Sequence, residues 1–174
     1  VIDVRAAGLN FPDLLLVAGK YQANPALPFT PGGECSGTVI AIGEGVTGIA
    51  VGDRVMASMM LGAFAERVVA PVGAITPISD AMSFSQAAGF TTTYATSYHA
   101  LKQRAALVRN ETLLVLGAAG GVGLTAVELG KLMGARVIAA ASTAEKLDVA
   151  REMGAHAGIN YLEENLKDRV KELT

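Results

Sequence analysis

The sequence predicts a mixed protein: a small all-β barrel or sandwich followed by a parallel βαβαβ unit. Three observations predict it. Residues 1 to about 80 are broken at short intervals by glycine and proline, with brief apolar runs between them. Near residue 84 the hydrophobic period changes from that of strands to that of helices. Beyond residue 112, continuous apolar runs alternate with amphipathic stretches, as in parallel strands joined by helical crossovers.

The elements follow in order. Val1 to Ala7 alternates, with Ile2, Val4 and Ala6 on one face and Asp3 and Arg5 on the other, which predicts a strand. Asn10-Phe-Pro-Asp13 followed by three leucines predicts a short capped helix with Pro12 in its first turn. Gly37–Ile42, Arg54–Ala57, Phe64–Ala70 and Ala74–Ile78 are the apolar runs of further strands. Turn signals at Pro31-Gly-Gly33, Gly43-Glu-Gly45 and Gly52-Asp53 separate them. Ser85 to Leu107 reads as helix in two pieces. Thr112–Leu116 is apolar throughout, the pattern of a strand buried on both faces. A helix over Gly121–Met133, a second buried strand over Arg136–Ala141 and a helix over Thr143–Met153 come next. A short third strand at Gly158–Tyr161 and an amphipathic helix from near Glu163 complete the chain. The predicted domains are residues 1–84 and 85–174. The chain opens inside a strand pattern and closes inside a helical one, so the expectation is a piece of a longer protein.

Composition narrows the function. Of 174 residues, 51% are hydrophobic and 17% charged, so the chain collapses rather than staying disordered. The net charge of −2 offers no general attraction for nucleic acid or anionic membrane. A single cysteine, Cys35, excludes an internal disulfide framework and a cysteine-cluster zinc site, and two histidines leave little for any other metal site. Mean hydropathy is +0.41, which calls for a membrane check. Ala81–Leu101 is long enough to span but is rich in serine and threonine, and Thr112–Val127 is interrupted by Gly117, Gly120, Gly121 and Gly123. Neither reads as a transmembrane helix, no secretory signal is visible, and a cytoplasmic location is expected.

The run Leu116-Gly-Ala-Ala-Gly-Gly-Val-Gly123 sits where a strand becomes a helix. There, backbone N–H groups and the helix N-terminus favour the negative charge of a pyrophosphate. Gly120 would let the backbone approach it, and Gly123 would let the helix pack closely on the strand. Ala119, Gly120, Gly121, Val122 and Gly123 are the candidate contacts. Ala118 occupies the first glycine of the usual G-x-G-x-x-G spacing, so the fingerprint is imperfect. Glycines serving only helix–sheet packing are the competing reading. At the end of the second strand an NAD site usually carries a carboxylate for the ribose 2′-hydroxyl. Here Ser142 and Thr143 offer hydroxyls and Lys146 stands one turn into the helix, which suits the 2′-phosphate of NADP better. A solvated lysine paired with Glu145 or Asp148 is the alternative for Lys146.

Ala6-Ala-Gly-Leu-Asn-Phe-Pro-Asp13, Pro28-Phe-Thr-Pro-Gly-Gly-Glu34, Val51-Gly-Asp-Arg-Val55 and Gly62-Ala-Phe-Ala-Glu66 precede that turn. Gly154-Ala-His-Ala-Gly-Ile-Asn-Tyr161 follows it. In this order the motifs resemble the zinc-independent quinone oxidoreductase branch of the medium-chain dehydrogenase/reductase superfamily, end to end. The resemblance implies a GroES-like β-barrel domain lacking its N-terminal strands and the first half, βαβαβ, of a Rossmann domain. It implies an NADPH-dependent reductase acting on a small quinone or enone, and a homodimer in the complete protein. An enoyl-thioester (enoyl-CoA or acyl-carrier) reductase, or a non-catalytic NADPH-binding structural protein, would share these motifs. The slots that hold catalytic zinc in related alcohol dehydrogenases contain Asn10, Gly33 and Ala88, so metal-free chemistry is expected. By the same resemblance, Asn10 lies beside the nicotinamide ribose or the substrate, and Tyr21 lines the substrate cleft. Thr96 lies near the nicotinamide, and Tyr161 joins Ser142 and Lys146 near the 2′-phosphate. The plainer readings are a helix cap for Asn10, a loop aromatic for Tyr21, a backbone-bonded hydroxyl for Thr96 and a strand end for Tyr161.

Overall fold

The alternating segment at the start of the chain becomes β1 (Ile2–Gly8), which pairs antiparallel with β2 (Glu34–Val39) through a bulge between Val4 and Ala6. Gly37 makes that pairing feasible, because a Cβ there would lie 2.0 Å from the Asp3 carbonyl oxygen. β2 also pairs with β3 (Arg54–Ser58), β3 with β5 (Ile75–Pro77), and β1 with β4 (Arg67–Val68). The result is one antiparallel sheet in the order β4-β1-β2-β3-β5. Ile2, Cys35 and Val55 are fully buried on its inner face, each aliphatic side chain contributing about 1.5–3 kcal/mol. α1 (Phe11–Val17) rises from the end of β1, with Pro12 in its first turn.

A computed structural model describes residues 1–174, which part into two compact units, Val1–Thr92 and Thr93–Thr174. The change of period near residue 84 therefore falls inside the first unit. α2 (Phe84–Ala88), capped by Ser83, packs on β1 and β2, and the Ser36 hydroxyl donates to the Phe84 carbonyl at 2.6 Å. α3 (Thr91–Tyr98) runs on into a wide π-helical turn over His99–Arg104, so the helical stretch ends before Leu107.

In the second unit β6 (Thr112–Leu116), β7 (Arg136–Ala141) and β8 (Ala157–Asn160) form a parallel sheet in the order β6-β7-β8. α4 (Gly121–Leu132) and α5 (Ala144–Glu152) link them, and α6 (Leu166–Leu173) follows. β7 is buried on both faces. Val137, Ala139 and Ala141 pack with Val127 of α4 and Leu147 of α5, while Ile138 and Ala140 pack with Ile159 and, on α6, Leu166 and Val170.

Two strand expectations change. β6 is only partly buried in this chain, where it pairs with β7 alone: Val115 is buried, Leu113 and Leu114 are half-buried and Leu116 is 62% exposed. The run Phe64–Ala70 keeps only Arg67–Val68 as strand. β4 pairs with β1 through just two residues, and Val69 beyond it is 79% exposed.

Candidate functional site

The first unit contains a cavity of about 400 Å³ at the start of α1, lined by Asn10, Pro12, Asp13, Leu16, Tyr21, Gly33, Met59, Met60 and Thr92. Asn10 and Tyr21, eleven positions apart in sequence, thus face one space. Asn10 is the N-cap residue of α1 in extended conformation, and Asp13 three residues on accepts from its backbone N–H at 2.8 Å. Its side-chain amide nitrogen turns to Glu34, donating to Oε1 at 2.7 Å. The other oxygen of Glu34 accepts the backbone N–H of Thr92 at 3.0 Å. Asp13 and Glu34 are both buried, at 4% and 2% exposure. No lysine, arginine or histidine is among the lining residues.

The glycine-rich turn occupies the second unit, between β6 and α4. Gly117 has φ +62°, the left-handed conformation that glycine adopts without strain. The tight turn is thus supplied one residue before the usual first glycine. Ala118, whose φ is negative, sits buried with its N–H on the Ala140 carbonyl at 3.1 Å, so its methyl group costs nothing. Gly120 is the N-cap of α4, and a Cβ there would meet only the Gly117 carbonyl oxygen, at 3.5 Å. At Gly123 a Cβ would lie 2.3 Å from the same oxygen, so helix and turn are in closest approach there. Ala119, Gly121 and Val122 complete the turn and the first residues of α4.

Hydroxyl groups tie α3 to that first turn. Ser97 donates to the Val122 carbonyl at 2.9 Å and lies 2.9 Å from the Thr125 hydroxyl. Both hydroxyls are buried. Nearby, the Tyr94 hydroxyl donates to the Glu128 carboxylate, and this bond, with burial and the negative charge behind it, pushes the Tyr94 pKa up to about 12. The folded state therefore holds this proton more tightly than the unfolded chain. The resulting stability is present below pH 10 and is lost as pH rises toward 12. In an absorbance titration at alkaline pH, one of the four tyrosines should ionise late, and Tyr94→Phe should remove that late step. Thr96 lies beside this network on α3 with its side chain exposed.

At the C-terminal ends of β7 and β8, the Lys146 ammonium donates to the Ser142 hydroxyl at 2.9 Å. Thr143 caps α5, its hydroxyl oxygen accepting from Lys146 N at 3.3 Å. The Glu145 carboxyl is held below its usual range by the Thr143 hydroxyl and its own backbone N–H, which turns it toward the helix end. Tyr161 N–H donates to the Ala141 carbonyl at 3.1 Å, placing Tyr161 next to Ser142 across the strand ends. Ser142 and Lys146 are thus in contact, and Tyr161 is tied by its backbone to the residue before Ser142. The roles of Glu34 and Thr92 beside Asn10, and of Ser97 and Thr125 beneath the turn, were not anticipated. Only Glu34 had a visible signal, as a carboxylate inside an otherwise apolar, glycine-rich motif.

Residues 1–80 match the alcohol dehydrogenase GroES-like domain, and residues 121–174 match the zinc-binding dehydrogenase family. The chain belongs to the quinone oxidoreductase branch of the medium-chain dehydrogenase/reductase superfamily. It is 46% identical to the quinone oxidoreductase-like protein 2 homolog of Nematostella vectensis, over 99% of this chain and 48% of that protein. Among solved structures it is similar to Escherichia coli quinone oxidoreductase complexed with NADPH, at TM-score 0.94 and 36% identity over 99% of this chain and 53% of that one. It is similar also to the CurK enoyl reductase, at TM-score 0.84 and 30% identity over 97% of this chain and 55% of that one. The chain spans about half the length of the curated relatives it matches. Its antiparallel sheet is the GroES-like part of this family, and its parallel sheet is part of a Rossmann-like domain. No helix is long and apolar enough to cross a membrane.

Proposed function

We propose that the chain belongs to an NADPH-dependent oxidoreductase that passes hydride, without a metal, to a quinone or an activated alkene such as an enone. The observation that carries this reading is the Lys146–Ser142 contact at the strand ends, beside a glycine turn that leaves Gly120 open. The backbone N–H groups of Ala119–Gly123 and the N-terminus of α4 would hold the pyrophosphate. Lys146, Ser142 and Tyr161 would receive the 2′-phosphate, where an ammonium and two hydroxyls supply charge-assisted hydrogen bonds. When bound, NADPH supplies hydride from the nicotinamide ring. Thr96 is assigned to the nicotinamide side of the site. Asn10 and Tyr21 orient the acceptor, or the ribose beside it, in a cavity lined on its apolar side by Leu16, Met59 and Met60.

Quinones and enones delocalise the incoming negative charge themselves, so no Lewis acid is needed. That agrees with Asn10, Gly33 and Ala88 at the positions where zinc enzymes of the superfamily carry ligands. A cavity wall holding one buried carboxylate, Asp13, and no cation favours an uncharged acceptor. An enoyl-thioester reductase is the second reading, favoured by the likeness to CurK.

The test uses the full-length gene product. Its fluorescence titration with NADPH and NADH should show tighter NADPH binding, and a quinone should be reduced with higher kcat/KM than an enoyl-CoA. Higher kcat/KM on the thioester selects the second reading. Binding without turnover on either acceptor leaves a nucleotide-binding protein, and no binding removes the cofactor assignment.

A further inference from the structure

Glu34 is buried on β2 and is not itself part of the cavity lining, yet both groups it binds are: Asn10 through Oε1 and Thr92 through Oε2. A carboxylate buried this deeply is costly unless its oxygens are satisfied. The fold makes room for it. At Gly8 a Cβ would lie 2.7 Å from Glu34 Oε1 and 2.4 Å from the Ala88 carbonyl oxygen, so no larger residue fits beside the carboxylate. A carboxylate only accepts, which fixes the Asn10 amide: its NH₂ faces Glu34, since a flipped amide would set oxygen against oxygen.

We propose that Glu34 is a positioning residue, holding the Asn10 amide and the Thr92 backbone in fixed register around the cavity without touching the reactants. This rests on the reductase reading above. Each partner is bound by a different oxygen, so a glutamine of the same shape satisfies only one of them. Its NH₂ group must then oppose either the Asn10 amide nitrogen or the Thr92 N–H.

The experiment is a double-mutant cycle on the full-length protein, with NADPH and a neutral quinone, comparing wild type, Glu34→Gln, Asn10→Ala and the pair. Glu34→Gln should lower kcat by about 10–100-fold, the scale of a misplaced orienting group, while changing KM for the quinone by less than about 3-fold. In the Asn10→Ala background the same substitution should change kcat by less than about 2-fold, because the group it orients is gone. An equal loss in both backgrounds shows that Glu34 serves the fold alone and overturns the proposal. An inactive wild type overturns the functional reading and this inference with it. Should Glu34→Gln fail to fold, Asn10→Asp in the same chain restores a donor–acceptor pair, the new amide donating to the new carboxylate. Recovered folding, read as the melting temperature, supports the Glu34–Asn10 pairing on which the proposal rests, and no recovery overturns it.

Discussion

Gly123→Ala should weaken NADPH binding by about 100-fold, near 2.7 kcal/mol, and lower the melting temperature as well. The new Cβ would stand 2.3 Å from the Gly117 carbonyl oxygen and 2.9 Å from Ala118 Cα. Both are backbone atoms at the mouth of the turn, so no side chain can swing aside. The first turn of α4 must retreat from β6, and overpacking of this kind costs about 1–3 kcal/mol of stability. The same retreat moves the N–H groups proposed to hold the pyrophosphate. Gly120→Ala is the control. Its backbone, at φ −81° and ψ 164°, is open to any residue, and its Cβ meets only an ordinary 3.5 Å contact. That variant should keep its melting temperature and still lose affinity, because its methyl group occupies the space assigned to the ligand. Wild-type NADPH affinity in Gly120→Ala would place the pyrophosphate elsewhere.

Lys146→Ala should reduce the preference for NADPH over NADH by about 10–100-fold, equivalent to the 1.5–3 kcal/mol typical of a hydrogen bond to a charged group. The side chain is exposed and its contact is with Ser142, so the unliganded fold should not be weakened. The loss should fall on NADPH alone and shrink as salt is raised, since an exposed ammonium–phosphate pair is screened. Paired titrations with the two nucleotides at low and high salt read this directly. An equal loss for both nucleotides would mean that Lys146 supports the strand end and not the 2′-phosphate.

Much of the fold was legible because its signals are local. The alternation of Ile2 and Val4, the glycine turn after Thr112–Leu116 and the β7 run Arg136–Ala141 each follow from a few consecutive residues. Ser142 and Lys146 were also readable together, because they lie four residues apart on either side of the α5 N-cap. The shortening of the Phe64–Ala70 run was not, since an apolar run does not say which of its residues find a partner strand, and only Arg67–Val68 pair with β1. The division between the units at Thr92 was equally hidden. α2 has a helical pattern but packs on the antiparallel sheet, and pattern does not say against what a helix packs.

The sequence by itself determined the order of a β-rich unit and a βαβαβ unit, the glycine turn, and a strand end that carries hydroxyls and a lysine. Only the tertiary structure decided that Gly117 carries the left-handed turn while Ala118 fills the first glycine position. It alone set Glu34 between Asn10, 24 residues away, and Thr92, 58 residues away. The reason is physical. Periodicity, capping and turn chemistry act between residues a few positions apart, whereas a cavity wall is assembled by strand register and helix packing, which join segments that carry no mark of one another.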